Sequence, residues 1–295
     1  MSKPAVGFIG VGLMGAAMVG RLLDLGYPVQ ILGNRTRERI EALVARGAVE
    51  AESPKALAAA SDIVMLCMGT SDQVEARMRG QGGVIEGLKP GTVVIDFGTS
   101  LPGSTVALGE EVAASGGVYL DAPLGRTPAH AKDGLLNVMC SGDRAAFDKV
   151  KPVLDDLGEN VFHLGALGSG HTIKLINNFF AMTTANAMAE AFALADKAGV
   201  PRQALYDVMS AGPLKSGMMD FIKAYGVDGN PQMLAFAIKN AAKDIGYYRR
   251  MAEGFGADTI MSGCAHTALN TAIEEGMGED LVPQMVDFFA RRFQA

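Results

Sequence analysis

Apolar and polar positions follow two different rhythms along this chain. In the first half, short runs rich in β-branched residues are separated by stretches whose apolar residues recur at helical spacing. The runs are predicted as buried strands at 5–9, 28–32, 62–68, 92–97, 118–121 and 136–140, and an amphipathic helix is predicted near 143–157. Because strands and helices alternate, we predict a doubly wound, mostly parallel sheet.

After residue 165 the apolar residues keep helical spacing, and no strand-like run interrupts them. The first helix of this half is predicted at 169–197; it ends before Gly199, and Pro201 is placed to open the next helix. We therefore predict an α/β chain of two domains, a doubly wound domain over 1–164 and an all-helical domain over 165–295.

Composition limits the classes of partner. The chain has 295 residues and a formal net charge of −6, and its 26 Lys and Arg residues provide no basic footprint for nucleic acid. Apolar stretches fall short of the roughly 20 residues that a membrane-spanning helix needs, and we expect no signal peptide. The three cysteines and four histidines are scattered, so we predict reduced thiols and no metal site. We expect a cytoplasmic protein that acts on a small molecule.

A glycine-rich turn joins the first predicted strand to the first predicted helix. Its G-x-G-x-x-G pattern runs Gly10, Val11, Gly12, Leu13, Met14, Gly15. In this context Gly10 permits a tight turn, Gly12 lets the backbone approach a pyrophosphate, and Gly15 allows the helix to pack on the sheet. A purely structural turn is the weaker alternative, so the sequence predicts a dinucleotide site.

The end of the second predicted strand bears on the choice of dinucleotide. An enzyme that uses NAD usually has a carboxylate there for the ribose 2′-hydroxyl, whereas this chain has Asn34, Arg35 and Thr36. A guanidinium and a hydroxyl favour a 2′-phosphate, so NADP(H) is preferred over NAD(H). The alternative is that Arg35 is an ordinary surface arginine, with Arg37 and Arg39 as equally good candidates.

One face of the long predicted helix carries polar side chains. Lys174, Asn177 and Asn178 stand at i, i+3 and i+4 and therefore share a face, although their neighbours are strongly apolar. Hydride transfer to or from an alcohol carbon needs a group that exchanges the hydroxyl proton and stabilises negative charge on that oxygen. A lysine ammonium can do both, so we predict that Lys174 is catalytic.

Taken together, these motifs resemble the β-hydroxyacid dehydrogenase family over essentially the full length. The family includes 3-hydroxyisobutyrate dehydrogenases and the reductases of tartronate, succinic and glyoxylic semialdehydes and of sulfolactaldehyde. The resemblance rests on residues 7–15 (GFIGVGLMG), 96–100 (DFGTS) with Pro102, 120–123 (LDAP), Lys174 with Asn177 and Asn178, and Lys243-Asp244.

The resemblance implies a Rossmann domain followed by an all-helical domain, in a homodimer or homotetramer. It implies that Lys174 is the acid and base, that Asn178 orients the substrate, that Thr99 approaches the nicotinamide ribose, and that Lys243 helps to close the site. The predicted cofactor-binding set also includes Met68, the last residue of the predicted strand 62–68.

The chain departs from the family pattern after residue 123. Most members have a small residue and then Ser-Gly-Gly, which holds the substrate carboxylate, but this chain has Leu124 and then Gly125, Arg126 and Thr127. We predict that these three residues, with Asn177, bind a small anionic substrate, because a guanidinium can bind an anion through charge-assisted hydrogen bonds.

The identity of the anion, a carboxylate or a sulfonate, stays open, and two alternative functions remain. The Gly-Arg-Thr triplet resembles that of sulfolactaldehyde reductases, where it receives a sulfonate, although Ala181 lacks the hydroxyl of those enzymes. The other alternative is a catalytically silent NADP-binding scaffold, against which Lys174 and Asn178 both argue.

Overall fold

The computed structural model describes residues 3–33 and 37–294, and the chain divides into two compact units, Met1–Lys174 and Leu175–Ala295. The first unit is a sheet with helices on its faces. Its strands are β1 (Val6–Ile9), β2 (Val29–Leu32), β3 (Val49–Ala51), β4 (Ile63–Leu66), β5 (Val93–Asp96), β6 (Val118–Asp121), β7 (Leu124–Gly125), β8 (Leu136–Gly142) and β9 (Gly158–His163).

The strand order is β3-β2-β1-β4-β5-β6-β8-β7, with β9 beside β8. From β3 to β6 all neighbours are parallel, whereas β8 is antiparallel to β6 and β7. The chain builds outward in one direction from β1 to β3 and then restarts on the other side of β1 with β4. In open sheets of this kind, ligands bind beyond the carboxyl ends of the strands at such a reversal.

Helices cover both faces of this sheet. They are α1 (Leu13–Asp24), α2 (Arg37–Ala45), α3 (Pro54–Ala59), α4 (Ser71–Met78), α5 (Val84–Gly87), α6 (Pro102–Ala114), α7 (Pro128–Asp133) and α8 (Arg144–Leu157), and α9 (Ser169–Lys197) begins in this unit. Alternate residues of a central strand enter different cores: Ile63 and Met65 pack in one cluster, and Val64 and Leu66 in another. Burial on both faces is why β4 is an uninterrupted apolar run.

The second unit is helical. After α9 come α10 (Arg202–Ser210), α11 (Gly217–Gly226), α12 (Ile238–Gly254), α13 (Met261–Ala272) and α14 (Met285–Gln294), with short helical turns at Pro231–Leu234, Ile273–Met277 and Val282–Gln284. Its β structure within residues 175–294 is one isolated bridge between Ala237 and Leu281. Among the described residues no helix is both long and apolar enough to cross a membrane.

The predicted fold class is confirmed, a parallel sheet with flanking helices followed by a helical part. The six predicted strands and the helix at 169–197 are present, most with ends one or two residues shorter or longer than predicted. The prediction missed β3, β7 and β9. Two residues of β3 are exposed, β7 has only two residues, and β9 mixes exposed with half-buried positions, so none has an apolar run.

Candidate active site

The glycine-rich turn between β1 and α1 is closely packed at two of its three glycines. Gly10 has φ +100°, the left-handed region, and a Cβ there would overlap the carbonyl oxygen of Cys67. A Cβ on Gly15 would overlap the carbonyl oxygen of Gly10 and lie 2.9 Å from Phe8 Cε1. Both positions therefore require glycine to bring α1 against the end of β1.

Gly12 differs from these two glycines because it faces open space. A Cβ on Gly12 would meet no described atom within 4 Å. Gly12 is the N-cap of α1, no side chain of the described residues caps it, and the first turn, which contains Leu13 and Met14, has no acidic residue. A helix start that is uncapped and accessible suits an anionic group, so the turn fits a dinucleotide pyrophosphate.

Two further predicted cofactor residues lie at the neighbouring strand ends. Met68 follows β4, and its Sδ lies 2.9 Å from where a Cβ on Gly10 would stand. Thr99 is half-buried and follows Gly98, whose own Cβ would lie 3.1 Å from the Met68 carbonyl oxygen. The carboxyl ends of β1, β4 and β5 therefore bring the glycine turn, Met68 and Thr99 to one edge of the sheet.

Cys67 lies at this edge, and its surroundings disfavour the thiolate. Burial, and secondarily the charge of Asp96, raises the pKa of the Cys67 thiol to about 12. The thiol therefore stays protonated at neutral pH, and a thiolate is what reacts. The predicted residues Asn34, Arg35 and Thr36 fall outside the described residues.

A buried carboxylate fixes the start of α9, a feature that sequence reasoning missed. Asp121, at the end of β6, is fully buried and accepts hydrogen bonds from the backbone N–H of Gly168 (2.8 Å) and of His171 (2.7 Å). It also accepts one from the hydroxyl of Ser141 on β8. A carboxylate at a helix N-terminus satisfies its N–H groups and opposes the positive end of the helix dipole.

Close packing reinforces this anchor. A Cβ on Gly170 would overlap the Met139 carbonyl oxygen and lie 2.8 Å from Asp121 Oδ2 and 3.2 Å from Pro123 Cδ. The motif at 120–123 therefore seats the first turn of α9 directly on the sheet. Lys174 stands one turn beyond, within the same compact unit as the glycine turn.

His171 and Asp96 extend the buried cluster. The Nδ1 of His171 lies 2.7 Å from Thr105 Oγ1, and its Nε2 lies 3.7 Å from Asp96 Oδ2. Asp96 is itself fixed by the backbone N–H of Gly98 and the hydroxyl of Ser100, both at 2.8 Å. These bonds hold the loop after β5, which carries Thr99, to the same end of the sheet as α9.

The polar face of α9 is organised by α12. Asn178 is buried and donates from Nδ2 to Asp244 Oδ2 at 2.7 Å, while its Oδ1 accepts from the exposed Asn177 at 3.2 Å. Asp244 is also buried and forms an ion pair with Lys243 at 2.9 Å. The motif at 243–244 was noted in the sequence, but the role of Asp244 in holding Asn178 was not predicted. Lys174 is half-buried.

Lys243 borders a pocket of about 930 Å³ in the second unit. Its ammonium lies 5.0 Å from the centre of the Tyr247 ring. The charged residues of the pocket wall are Lys239, Lys243, Arg249, Arg250, Glu253 and Asp258. Lys239 is paired with Glu279 and Lys243 with Asp244, so neighbouring carboxylates offset two of these four cations.

The triplet at 125–127 has an unusual backbone. Arg126 adopts φ +76°, and it is the one non-glycine residue with positive φ in the described chain. Glycine adopts this left-handed region without strain, whereas an arginine there is strained. Its guanidinium forms an ion pair with Glu159 (2.5 Å) and donates to the Leu135 carbonyl (2.7 Å).

The neighbours of Arg126 have structural contacts of their own. Gly125 pairs with Asn137 of β8, and Thr127 Oγ1 lies 2.7 Å from His130 Nδ1 at the start of α7. The structure therefore brings the triplet against β8 and β9 of the first unit. Within the described ranges, no group of three His, Cys, Asp or Glu side chains is arranged to hold a metal ion.

Comparison with known proteins assigns the two halves to dehydrogenase families. Residues 5–165 match the family described as the NAD binding domain of 6-phosphogluconate dehydrogenase. Residues 168–289 match the family described as NAD-binding of NADP-dependent 3-hydroxyisobutyrate dehydrogenase.

Individual relatives are similar over most of their length. The chain is 32% identical over 241 residues to 2-(hydroxymethyl)glutarate dehydrogenase of Eubacterium barkeri, which spans 82% of this chain and 80% of that protein. It is 32% identical over 286 residues to glyoxylate/succinic semialdehyde reductase 1 of Arabidopsis thaliana, and this match spans 93% of this chain and 94% of that protein.

A solved structure agrees with the sequence comparison. The crystal structure of 3-hydroxyisobutyrate dehydrogenase from Salmonella typhimurium superposes with a TM-score of 0.84 at 28% identity, covering 97% of this chain and 99% of that one. This chain is therefore a member of the β-hydroxyacid dehydrogenase family, the NAD(P)-dependent oxidoreductases that act on CH–OH groups.

Proposed function

We propose that the chain is an NADP(H)-linked β-hydroxyacid dehydrogenase or short-chain semialdehyde reductase in which Lys174 is the general acid and base. The observation that carries the proposal is the anchored start of α9. Asp121 fixes the first turn of this helix at the carboxyl edge of the sheet, and Lys174 follows within the unit that holds the glycine turn. Catalysis requires such a fixed position for the proton-transfer group.

The nicotinamide, when bound, exchanges a hydride with the CH–OH carbon of the substrate. In reduction the Lys174 ammonium donates a proton to the carbonyl oxygen, and in oxidation the neutral amine accepts it from the hydroxyl. The positive charge also stabilises the oxygen as it becomes negative. Asn178 orients the substrate with an amide N–H, since its bond to Asp244 needs only one of its two amide hydrogens.

The proposed substrate is a short β-hydroxy acid or the matching semialdehyde. Such a molecule needs residues that bind its acid group. We assign that role to Gly125, Arg126, Thr127 and Asn177. In the described structure the guanidinium of Arg126 is paired with Glu159. When the substrate binds, its carboxylate or sulfonate therefore replaces the Glu159 carboxylate as the partner of the Arg126 guanidinium.

The test of function is a screen of NADPH oxidation with glyoxylate, succinic semialdehyde, tartronate semialdehyde and sulfolactaldehyde. We expect turnover with at least one carboxylate semialdehyde, and a Lys174→Ala loss on the order of 100-fold or more. Turnover with sulfolactaldehyde alone would favour the sulfonate enzyme instead. Cofactor binding without any turnover would favour the silent scaffold.

The acid-group receptor has its own test. Arg126→Ala should raise KM for the anionic substrate about tenfold with a smaller change in kcat, because it removes a charge-assisted bond. Glu159→Gln should lower KM, because it removes the competing anion. Arg144→Ala is the control, since this exposed arginine is paired with Asp148 in the same unit. An unchanged KM in both test variants would contradict the assignment.

The preference for NADP(H) is supported by two observations. Residues 34–36 offer a guanidinium and a hydroxyl without a carboxylate, and the family that matches residues 168–289 is described as NADP-dependent. Affinities for NADPH and NADH should therefore differ in the wild type, and Arg35→Ala should weaken NADPH binding selectively. Equal affinities in the wild type would contradict the preference.

A further inference from the structure

A carboxylate lies at the end of β2, although the chain segment at 33–36 contains none. It is supplied by Glu50 of the neighbouring strand β3. Glu50 stands opposite Ile31 in the parallel register, so both side chains point to the same face of the sheet. A Cβ on Gly33, the first residue after β2, would overlap Glu50 Oε1 and lie 2.9 Å from Arg37 Nη1.

Glu50 and Arg37 form a bidentate ion pair beside Gly33. Arg37 donates from Nη1 to Oε1 at 2.6 Å and from Nη2 to Oε2 at 2.9 Å, so both carboxylate oxygens are used. The hydrogen bonds raise the pKa of Arg37 and lower that of Glu50, so both groups are charged at neutral pH. This is the geometry with which a guanidinium also binds a phosphate.

The pair is not explained by the stability of α2. Arg37 is the first residue of that helix, where the dipole favours an anion and disfavours a cation. The side chains of Arg37 and Glu50 are 53% and 34% exposed, and ion pairs this accessible contribute little to folding. The pair therefore adds little to folding, and its exposed position leaves it accessible to a bound dinucleotide.

The position matters because a dinucleotide presents its adenosine ribose to the end of the second strand of such a sheet. A 2′-phosphate needs a guanidinium there, whereas a 2′-hydroxyl can donate to a carboxylate. Arg37 is the arginine that the described structure places at this point, and Glu50 already accepts from two of its five N–H groups, one on each terminal nitrogen. A 2′-phosphate must either share Arg37 with Glu50 or displace it, and in both cases it lies near the negative charge of Glu50, whereas a 2′-hydroxyl can donate to that carboxylate.

We infer that Glu50, acting on Arg37, limits the discrimination between NADP(H) and NAD(H). This inference rests on the proposed NADP(H) preference, and it concerns how large the ratio of NADPH to NADH affinity is. With Glu50 present the chain uses both cofactors, and NADPH is favoured only moderately. Without the carboxylate, Arg37 is available to the 2′-phosphate and the preference becomes strong.

The test is calorimetric titration of NADPH and NADH into wild-type protein, Glu50→Gln and Glu41→Gln at one fixed salt concentration. Glu41 is a matched control, because its carboxylate lies 3.9 Å from Arg37 Nε but does not form a bidentate pair. Glu50→Gln should tighten NADPH binding about tenfold and leave NADH binding equal or weaker. Glu41→Gln should change both affinities by less than about twofold.

Arg37→Gln completes a double-mutant cycle. If Arg37 binds the 2′-phosphate in addition to Arg35 and Glu50 weakens that contact, the tightening of NADPH binding by Glu50→Gln disappears in the Arg37→Gln background. An unchanged ratio of NADPH to NADH affinity in Glu50→Gln overturns the inference, and so does an equal effect of Glu41→Gln. Failure of wild-type protein to bind either cofactor overturns the proposed function as well, so the two failures are distinguishable.

Discussion

Asp121→Asn tests the anchor that places α9 on the sheet. The substitution keeps the shape of the side chain but puts an NH2 group where one oxygen was. The amide oxygen can replace Oδ1, which accepts from Gly168 and Ser141, but the NH2 group then faces the backbone N–H of His171. One charge-assisted bond is lost and a buried N–H is left unsatisfied, which costs about 2 kcal/mol.

Hydrogen exchange over residues 165–175 measures this cost directly. A loss of about 2 kcal/mol from local opening corresponds to roughly 30-fold faster exchange in this segment. The catalytic rate should fall as Lys174 loses its fixed position, while NADPH affinity should stay within about twofold because the glycine turn is untouched. Asp121 is a positioning residue, so the two readouts should separate.

Asp148→Asn is the matched control. Asp148 is an exposed aspartate of α8 in the same unit, paired with Arg144 at 2.9 Å, and its loss should change stability by less than about 0.5 kcal/mol. If amide hydrogens of residues 165–175 exchange equally fast in Asp121→Asn, in Asp148→Asn and in the wild type, Asp121 does not anchor α9.

Three further predictions follow from the packing. Gly12→Val should abolish dinucleotide binding with little loss of thermal stability, because Gly12 faces open space, whereas Gly15→Val should destabilise the fold, because it meets the Gly10 carbonyl. Equal melting temperatures for the two variants would contradict this. Burial, and then Arg249, lowers the pKa of His266, so stability is present at neutral pH and declines as pH falls through the unfolded value of about 6.5. Denaturation midpoints in His266→Asn should show a weaker pH dependence between pH 7.5 and 5.5, and an unchanged slope would refute the assignment. The proposed homodimer or homotetramer should bury Phe180, whose side chain is 71% exposed in the single chain, so Phe180→Asp should lower the mass measured by light scattering. A wild-type mass in that variant would place the interface elsewhere.

Sequence reasoning succeeded where a local pattern determines the structure. The strands β1, β4 and β5 are buried on both faces, so their residues are apolar or glycine apart from Asp96 at the end of β5. The glycine turn was equally readable, because tight turns and close backbone approaches demand glycine at fixed spacing. Helix α9 was predicted with the bounds it has, since its ends are marked by small and glycine residues.

The contacts that organise the site could not be predicted in this way. Asp121 reaches His171 across 50 positions, and Asn178 reaches Asp244 across 66 positions. The position of Glu50 beside β2 could not be predicted for a different reason. Strand β3 lacks an apolar run, so neither the strand nor its pairing with β2 was predicted. Such contacts depend on the sheet order and on helix packing, which a single sequence does not specify.

Lys174 is proposed to transfer the proton that accompanies hydride transfer. Rapid mixing of a preformed NADPH complex with an active semialdehyde, followed by the decay of NADPH fluorescence, measures that step in one turnover. Lys174→Ala should slow the decay on the order of 100-fold or more while NADPH affinity is unchanged. A wild-type decay rate in Lys174→Ala would contradict it.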